Sequence, residues 1–511
     1  MPVVSAVLAL AGVFAAQEPG VPEAPVGFPL RLEDAIRLVH EHGSSLQQAR
    51  LRALAENAGI GIAEGAYDPT LFADLTWSYS EQPAGGFFSS FGTTTSRSLS
   101  ATQGLRQALM TGGSLSLSLR EAYNDFSFLP DPQSDASVNL EYRQPLLRGA
   151  WQLSATQELE QARFSADRAQ ADMRQADSDV VQLVVDKYWD LAFALADVEV
   201  KQRSLALAQA LKEMTEAKFR VGAVSEVEVV QTDADIATRT DALLGARHRA
   251  RNAQDELRIQ VFGLENAEEW GFDLTPSSLP VAPGVEVPTW EETFAEARAF
   301  RGDLRKLRVD VEASLSAWDA AKHDLMPTLD LTATANYSAQ DRQVGDSLDL
   351  LLDRDFPGAT VGIVFEMPIG NRSQEGMEQR ARWNYWLAQR GLRDTENTVA
   401  LQAREAVRNT AYQAERVAVT DLAREVAGRQ LEAEQRRLRE GASTNFQVLQ
   451  FQTDLAAAES AAAQARMDYA KSVVRLNTVR GLNWDGSRPD LAHLEQYQPD
   501  PRFGKRESAG R

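Results

Sequence analysis

The chain has 511 residues, 43% apolar and 25% charged, with a net charge of −20 and no cysteine. The missing cysteine excludes a disulfide framework, thiolate metal sites and a cysteine nucleophile. The acidic balance argues against nonspecific nucleic-acid binding, which needs a basic footprint. Mean hydropathy is −0.34, and beyond the N-terminus no run approaches the roughly 20 apolar residues of a spanning helix, so a helical membrane protein is excluded.

Residues 3–16 (VVSAVLALAGVFAA) are uninterruptedly apolar or small, which predicts a signal peptide over residues 1–16. No cysteine follows, so a lipoprotein anchor is not expected. Residues 17–30 are rich in Pro and Gly and read as a linker.

The chain is written twice. At an offset of 258, Leu46 falls on Leu304, Arg50 on Arg308, and Pro69-Thr70-Leu71 on Pro327-Thr328-Leu329. At an offset of 219, Gly222-Ala223 falls on Gly441-Ala442, Val229 on Val448 and Gln231 on Gln450. The repeats are expected over 31–263 and 290–482, with 264–289 between them and a segment over 483–511. This period is too long for a solenoid and implies a tandem duplication.

Each repeat opens with Ala and Leu at helical spacing, over 32–66 in the first, and Pro69 stops that helix. Strand patterns follow. Residues 114–119 (SLSLSL) alternate with period two, as do 138–142 and 361–365. About four strands are expected in the first repeat and two in the second. Long helices then run from Pro145 to Gly222 and from Pro368 to Gly441, each on the order of 100 Å. They return over 225–262 and 444–480 with a coiled-coil-like seam. Eight of the fifteen residues 456–470 are Ala, which lets helices pack closely but makes no thick core. About six strands cannot close a barrel, and an open edge is forbidden in lipid. The strands and the Ala-rich hairpins therefore demand further copies of the chain.

With these features the chain resembles the TolC-type outer membrane efflux proteins. The resemblance covers roughly residues 30–482. It rests on the repeated helix–Pro-Thr-Leu–strand passages, on Gln144-Pro145-Leu146 and Met367-Pro368-Ile369, on the two glycine turns, and on Leu476 followed by Gly481-Leu482. It implies an α+β membrane protein: a homotrimer with an outer membrane β-barrel continued by a long periplasmic α-helical barrel. Its function would be that of a passive exit duct in a tripartite efflux or type I secretion system. The implied partners are an inner membrane pump, a periplasmic adaptor (membrane fusion) protein and outer membrane lipid, with no nucleic acid and no cofactor. The usual member contributes four strands per chain to a 12-stranded barrel. Here residues 98–123 read as an additional hairpin turning at 110–113. It lies either in the wall, for 18 strands, or outside it.

By the same resemblance, the turns carry the adaptor contact: Arg220, Val221, Gly222 and Ala223, and Arg439, Glu440, Gly441 and Ala442. The family narrows its tunnel entrance with acidic and hydrogen-bonding residues just after these glycines. Matched positions are Glu228 and Gln231 in the first repeat and Gln447 and Gln450 in the second, where the acids are replaced by amides. Three Glu228 carboxylates near one axis would favour cations; a solvated helix face is the plain alternative. Aromatic residues in or beside the strands, among them Trp77, Tyr79, Phe87, Phe88, Phe91, Phe128, Tyr142 and Tyr337, suit an interfacial belt, although strand propensity also explains them.

No enzyme is expected. The five histidines are scattered, no nucleophile elbow, phosphate loop or metalloprotease motif occurs, and the carboxylates spread over helix faces. A periplasmic coiled-coil scaffold or a freestanding porin are the competing readings.

Overall fold

The computed structural model describes residues 28–83, 92–127, 129–151, 155–262, 270, 273–280, 282–284, 286–342, 347, 350–351 and 356–489. The expected signal peptide, Phe87, Phe88, Phe91 and Phe128 lie outside them. In chain order the elements are β1 (Phe28–Leu30), α1 (Leu32–His42), α2 (Ser44–Glu64), β2 (Thr70–Pro83), β3 (Thr93–Ala108), β4 (Ser114–Phe126) and β5 (Gln133–Pro145). Then come α3 (Gln157–Arg220), α4 (Glu226–Phe262), β6 (Leu274–Pro276), α5 (Trp290–Phe300) and α6 (Gly302–His323). The chain continues with β7 (Thr328–Asp341), β8 (Pro357–Glu366), α7 (Arg372–Arg439) and α8 (Asn445–Arg480). No described helix is long and apolar enough to cross a membrane.

The helix expected over 32–66 is broken. It stops at His42, Gly43 is extended at φ −60°, ψ 114°, and its N–H bonds back to Val39 O at 2.7 Å. The second repeat breaks at the equivalent residue, Arg301 (φ −66°, ψ 133°), whose N–H bonds to Ala297 O at 3.0 Å. Glycine stands at or beside each break, Gly43 and Gly302, where its low helix propensity weakens continuation.

The chain divides into two compact units. One comprises residues up to Ser44, Val180–Val287 and Asn409–Arg475. Its core lines the helices: Leu211, Leu431, Leu438, Val448 and Leu449 form one cluster, and Val417, Ala465 and Tyr469 another. Parallel strands β1 and β6 pair in the same unit, with Leu30 and Leu274 buried. The fully buried Tyr188 fixes them, since its hydroxyl donates to Leu30 O (2.9 Å) and accepts from Ser278 N–H (2.9 Å).

The other unit comprises Ser45–Asp179, Pro288–Arg408 and Leu476 onward. Thr289 and Glu292 form a reciprocal capping box that starts α5. Ala297, Leu304 and Val399 make a core with Phe294 and Leu392. Gly302 must be small, because a Cβ there would lie 2.6 Å from Ala171 O.

This second unit carries one antiparallel sheet, ordered β2-β3-β4-β5-β7-β8. Because side chains alternate along each strand, register decides the two faces. One cross-sheet row reads Leu71, Leu105, Leu117, Leu140, Ala335, Ala359. The row one residue away reads Thr70, Arg106, Ser116, Glu141, Thr334, Thr360. The first face is mostly apolar along the middle of all six strands, interrupted there by Gln103 and Glu121 and more polar toward the strand ends at Glu81, Arg97, Gln107, Asp125, Gln144 and Asp341. It is exposed: Leu71 is 81% accessible and Val361 75%. Trp77, Tyr79, Tyr123, Tyr142 and Tyr337 share that face by register. On the opposite face, Arg143 pairs with Asp330 across β5 and β7 at 2.5 Å.

Candidate functional site

Both helix-to-helix turns end in the same backbone device. Gly222 has φ +73° and Gly441 φ +77°, a left-handed conformation that costs a residue with a Cβ about 1–2 kcal/mol. At the first turn, Ala223 N–H bonds to Lys218 O (2.9 Å) and Gly222 N–H to Phe219 O (2.9 Å). At the second, Ala442 N–H bonds to Arg437 O (2.8 Å) and Gly441 N–H to Leu438 O (3.3 Å). This paired pattern is a Schellman cap, which satisfies the last carbonyls of α3 and α7. Neither glycine has anything within 4 Å of where a Cβ would sit. Both turns are therefore open surfaces set by conformation, and Arg220, Val221, Ala223, Arg439, Glu440 and Ala442 are all exposed beside them.

The four residues matched to a tunnel entrance begin the returning helices. Gln231, Gln447 and Gln450 are exposed, and Glu228 is half-buried. The Glu228 carboxylate accepts from Asn445 Nδ2 at 2.9 Å, and Asn445 also donates to Thr215 Oγ1 at 3.1 Å. One buried asparagine at the start of α8 thus bridges α3 and α4. Gln447 accepts from Ser443 Oγ at 2.9 Å, the same hydroxyl that contacts the buried Glu434, and Gln450 donates to Asp454 at 3.0 Å.

Two turns of helix further along, Arg239 is 7% exposed. Its Nε holds Asp235 at 2.5 Å, Nη1 donates to Ser204 on α3, and Nη2 reaches Leu449 O and Thr453 Oγ1 on α8, each at 3.2 Å. One guanidinium joins three helices. Sequence reasoning passed over Asn445, Thr215 and Arg239. Arg239 did leave a signal: it interrupts the seam of Ile236, Leu243, Ala246 and Ala250, the face that should be apolar.

The comparisons with known proteins give the family. A family model described as outer membrane efflux protein matches residues 114–260 and 294–482, more than half of the chain. The chain belongs to the outer membrane efflux protein family. Among solved structures, this efflux protein is similar to the Campylobacter jejuni CmeC outer membrane channel at TM-score 0.67 and 16% identity, covering 94% of this chain and 89% of that one. It is similar to the outer membrane protein VceC of Vibrio cholerae at TM-score 0.64 and 17% identity, with 89% and 96% covered. It is also similar to the open state of the Neisseria gonorrhoeae MtrE outer membrane channel at TM-score 0.65 and 14% identity, with 93% and 99% covered. At these identities the likeness is one of fold. The comparison with curated proteins finds no match. The efflux protein is thus an outer membrane channel, of a family of channels and not of enzymes.

Proposed function

We propose that the efflux protein works as a homotrimer. Three sheets join as a β-barrel in the outer membrane, and the helical hairpins continue it as an α-helical barrel in the periplasm. The assembly is a passive exit duct for an inner membrane pump, reached through a periplasmic adaptor, in a tripartite efflux or type I secretion system. Residues 1–16 are its export signal, and the stretch expected as a linker over 17–30 ends in the paired strand β1; 264–289 and 483–511 are equatorial segments between and after the repeats at 31–263 and 290–482.

The observation that carries this reading is the two-faced sheet. Its apolar face is exposed on every strand, and its opposite face is hydroxyl-rich and charged. Such alternation fits lipid outside and water inside. A soluble scaffold has no use for it, and a freestanding porin has no use for the long hairpins. Light scattering of the detergent-solubilised full chain should give the mass of three chains; a stable monomer overturns the proposal.

Within that assembly, the residues at the two glycine turns, Arg220 to Ala223 and Arg439 to Ala442, contact the adaptor. Glu228, Gln231, Gln447 and Gln450 form the tunnel mouth just beyond. The Asn445 hydrogen bond gives the Glu228 carboxylate a fixed position, which a selectivity ring requires. Trp77, Tyr79, Tyr142 and Tyr337 supply aromatic rings at the lipid-facing wall.

A further inference from the structure

The hairpin β3–β4 has a definite place. β2 pairs with β3 from Thr70↔Arg106 to Pro83↔Thr93, and β4 pairs with β5 from Ser114↔Arg143 to Asn124↔Gln133. β2 and β5 do not touch in the sheet order. Lifting the hairpin out would leave both of these strands with an unpaired edge. Its turn is fastened at the helix-proximal end of the sheet: Thr111 Oγ1 donates to Gln144 Oε1 (2.8 Å), and Thr111 O accepts from Gln144 Nε2 (3.0 Å) and Trp151 N–H (2.9 Å). Leu105 and Leu117 of the hairpin continue the apolar row from Leu71 to Leu140. It has the length, anchoring and polarity of wall.

The sheet has two free edges, β2 and β8. Natural edges are blunted by Lys, Pro or bulges. Here 358–365 (GATVGIVF) of β8 holds no charge and no proline, and β2 holds neither Lys nor Arg, with its only proline at the last position. In lipid such edges have to be paired. With six antiparallel strands, β8 runs opposite to β2, so the β8 of one copy meets the β2 of the next in the antiparallel sense, with both apolar faces on the same side.

We infer that the β2 and β8 edges are an interface for further copies of this chain, and that three copies close an 18-stranded barrel with the β3–β4 hairpin inside its wall. The inference rests on the trimeric reading above and deepens it. At a strand spacing of about 4.8 Å and a tilt of about 40°, 18 strands give a backbone diameter of about 36 Å, against about 24 Å for 12. The cross-section is then about 2.2-fold larger, and the outer opening is a wide aqueous vestibule. Bulk cargo is then limited at the helical end and not by the β-wall.

The absence of cysteine makes the edge testable. Thr360→Cys in β8, combined in turn with Asp74→Cys, Thr76→Cys or Ser78→Cys in β2, places thiols on the polar face of both edges. Oxidation of the detergent-solubilised full chain should link chain to chain in at least one combination and yield a covalent trimer. Electron cryomicroscopy of the unsubstituted trimer should count 18 strands. A trimer with a 12-stranded wall and β3–β4 outside it overturns this inference while leaving the channel reading intact. A monomer overturns both. A trimer whose β8 edge meets a strand other than β2 overturns the assigned interface.

Discussion

The first and second glycine turns share a backbone and differ in almost every side-chain link. Each closes with a Schellman cap at a glycine of φ near +75°. Yet Thr215, seven residues before Gly222, is matched by Glu434, seven before Gly441, and both are buried. Thr215 accepts from Asn445 of the other hairpin, while Glu434 stays local, with Ser443 and Arg437. Arg239 ties three helices together; its counterpart is Ala458. The two turns share the conformational requirement, which glycine meets most cheaply, and differ in their side chains. Both hairpins carry ion pairs, Arg416 with Asp468 and Arg466 with Asp421 in the second. At this level, however, the first supplies the guanidinium that reaches across, and the second supplies the Leu449 carbonyl, the Asn445 amide and alanine in place of the arginine.

The hub is where this contrast is easiest to break. Arg239→Met removes the guanidinium and leaves Asp235 and the Leu449 carbonyl without that partner in a mostly buried setting. Loss of such a buried, multiply bonded charge costs about 2–4 kcal/mol. Ala458→Ser at the matched position should stay within about 0.5 kcal/mol. Denaturant titration of the protein in detergent checks both; equal effects would mean that the hairpins are not wired differently.

At the caps the two hairpins should behave alike. Gly222→Val and Gly441→Val each force a β-branched residue into a left-handed turn, at about 1–2 kcal/mol. The structure has room for the added atoms, so the trimer should still assemble. The double variant should abolish efflux, measured as accumulation of a pump substrate in cells. Normal efflux with assembled trimers would remove the turns from the docking surface.

A smaller effect separates the two hairpins by charge. Glu228→Gln keeps an acceptor for Asn445 Nδ2 and removes the negative charge, so cation selectivity should fall with little change in stability. Gln447→Glu adds a charge at the matched site and should raise selectivity. Reversal potentials in asymmetric salt across planar bilayers read both; if neither moves, the acidic ring is not at this level.

Element types and order were legible because their signals are local: Pro69 ending a helix, SLSLSL alternating, two glycines closing long hairpins. The family was legible because that order occurs twice. What stayed hidden depends on contacts distant in the chain. Asn445 aligns with Glu226 and gives no hint of reaching Thr215. The breaks at Gly43 and Arg301 were missed because the alanine and leucine pattern runs on through them. Whether 98–123 joins the sheet could not be read from alternation, which an external hairpin also shows; the register with β2 and β5 distinguishes them.

The mildest difference between the repeats is a response to pH. Asp186 lies 36 residues before Gly222, and the equivalent Glu405, 36 before Gly441, is exposed. The Asp186 carboxyl is raised above its ordinary 3.8, foremost by burial and further by Asp190, against lowering by its hydrogen bond from Gln182 and by Lys471 and Arg475. A raised carboxyl holds its proton more tightly in the folded chain than in the unfolded one. Stability therefore falls as pH rises from the ordinary carboxylate value through the raised one, and then levels. Asp186→Asn removes that slope. Above the window it should raise the melting temperature slightly, by about 1–2 °C, because water screens a side chain that is only partly buried. Below the window the two proteins should melt together. Glu405→Gln should shift neither limb. Melting curves in detergent from pH 3 to pH 8 test this, and a variant that is less stable at neutral pH would mean that Lys471 and Arg475 outweigh burial at Asp186.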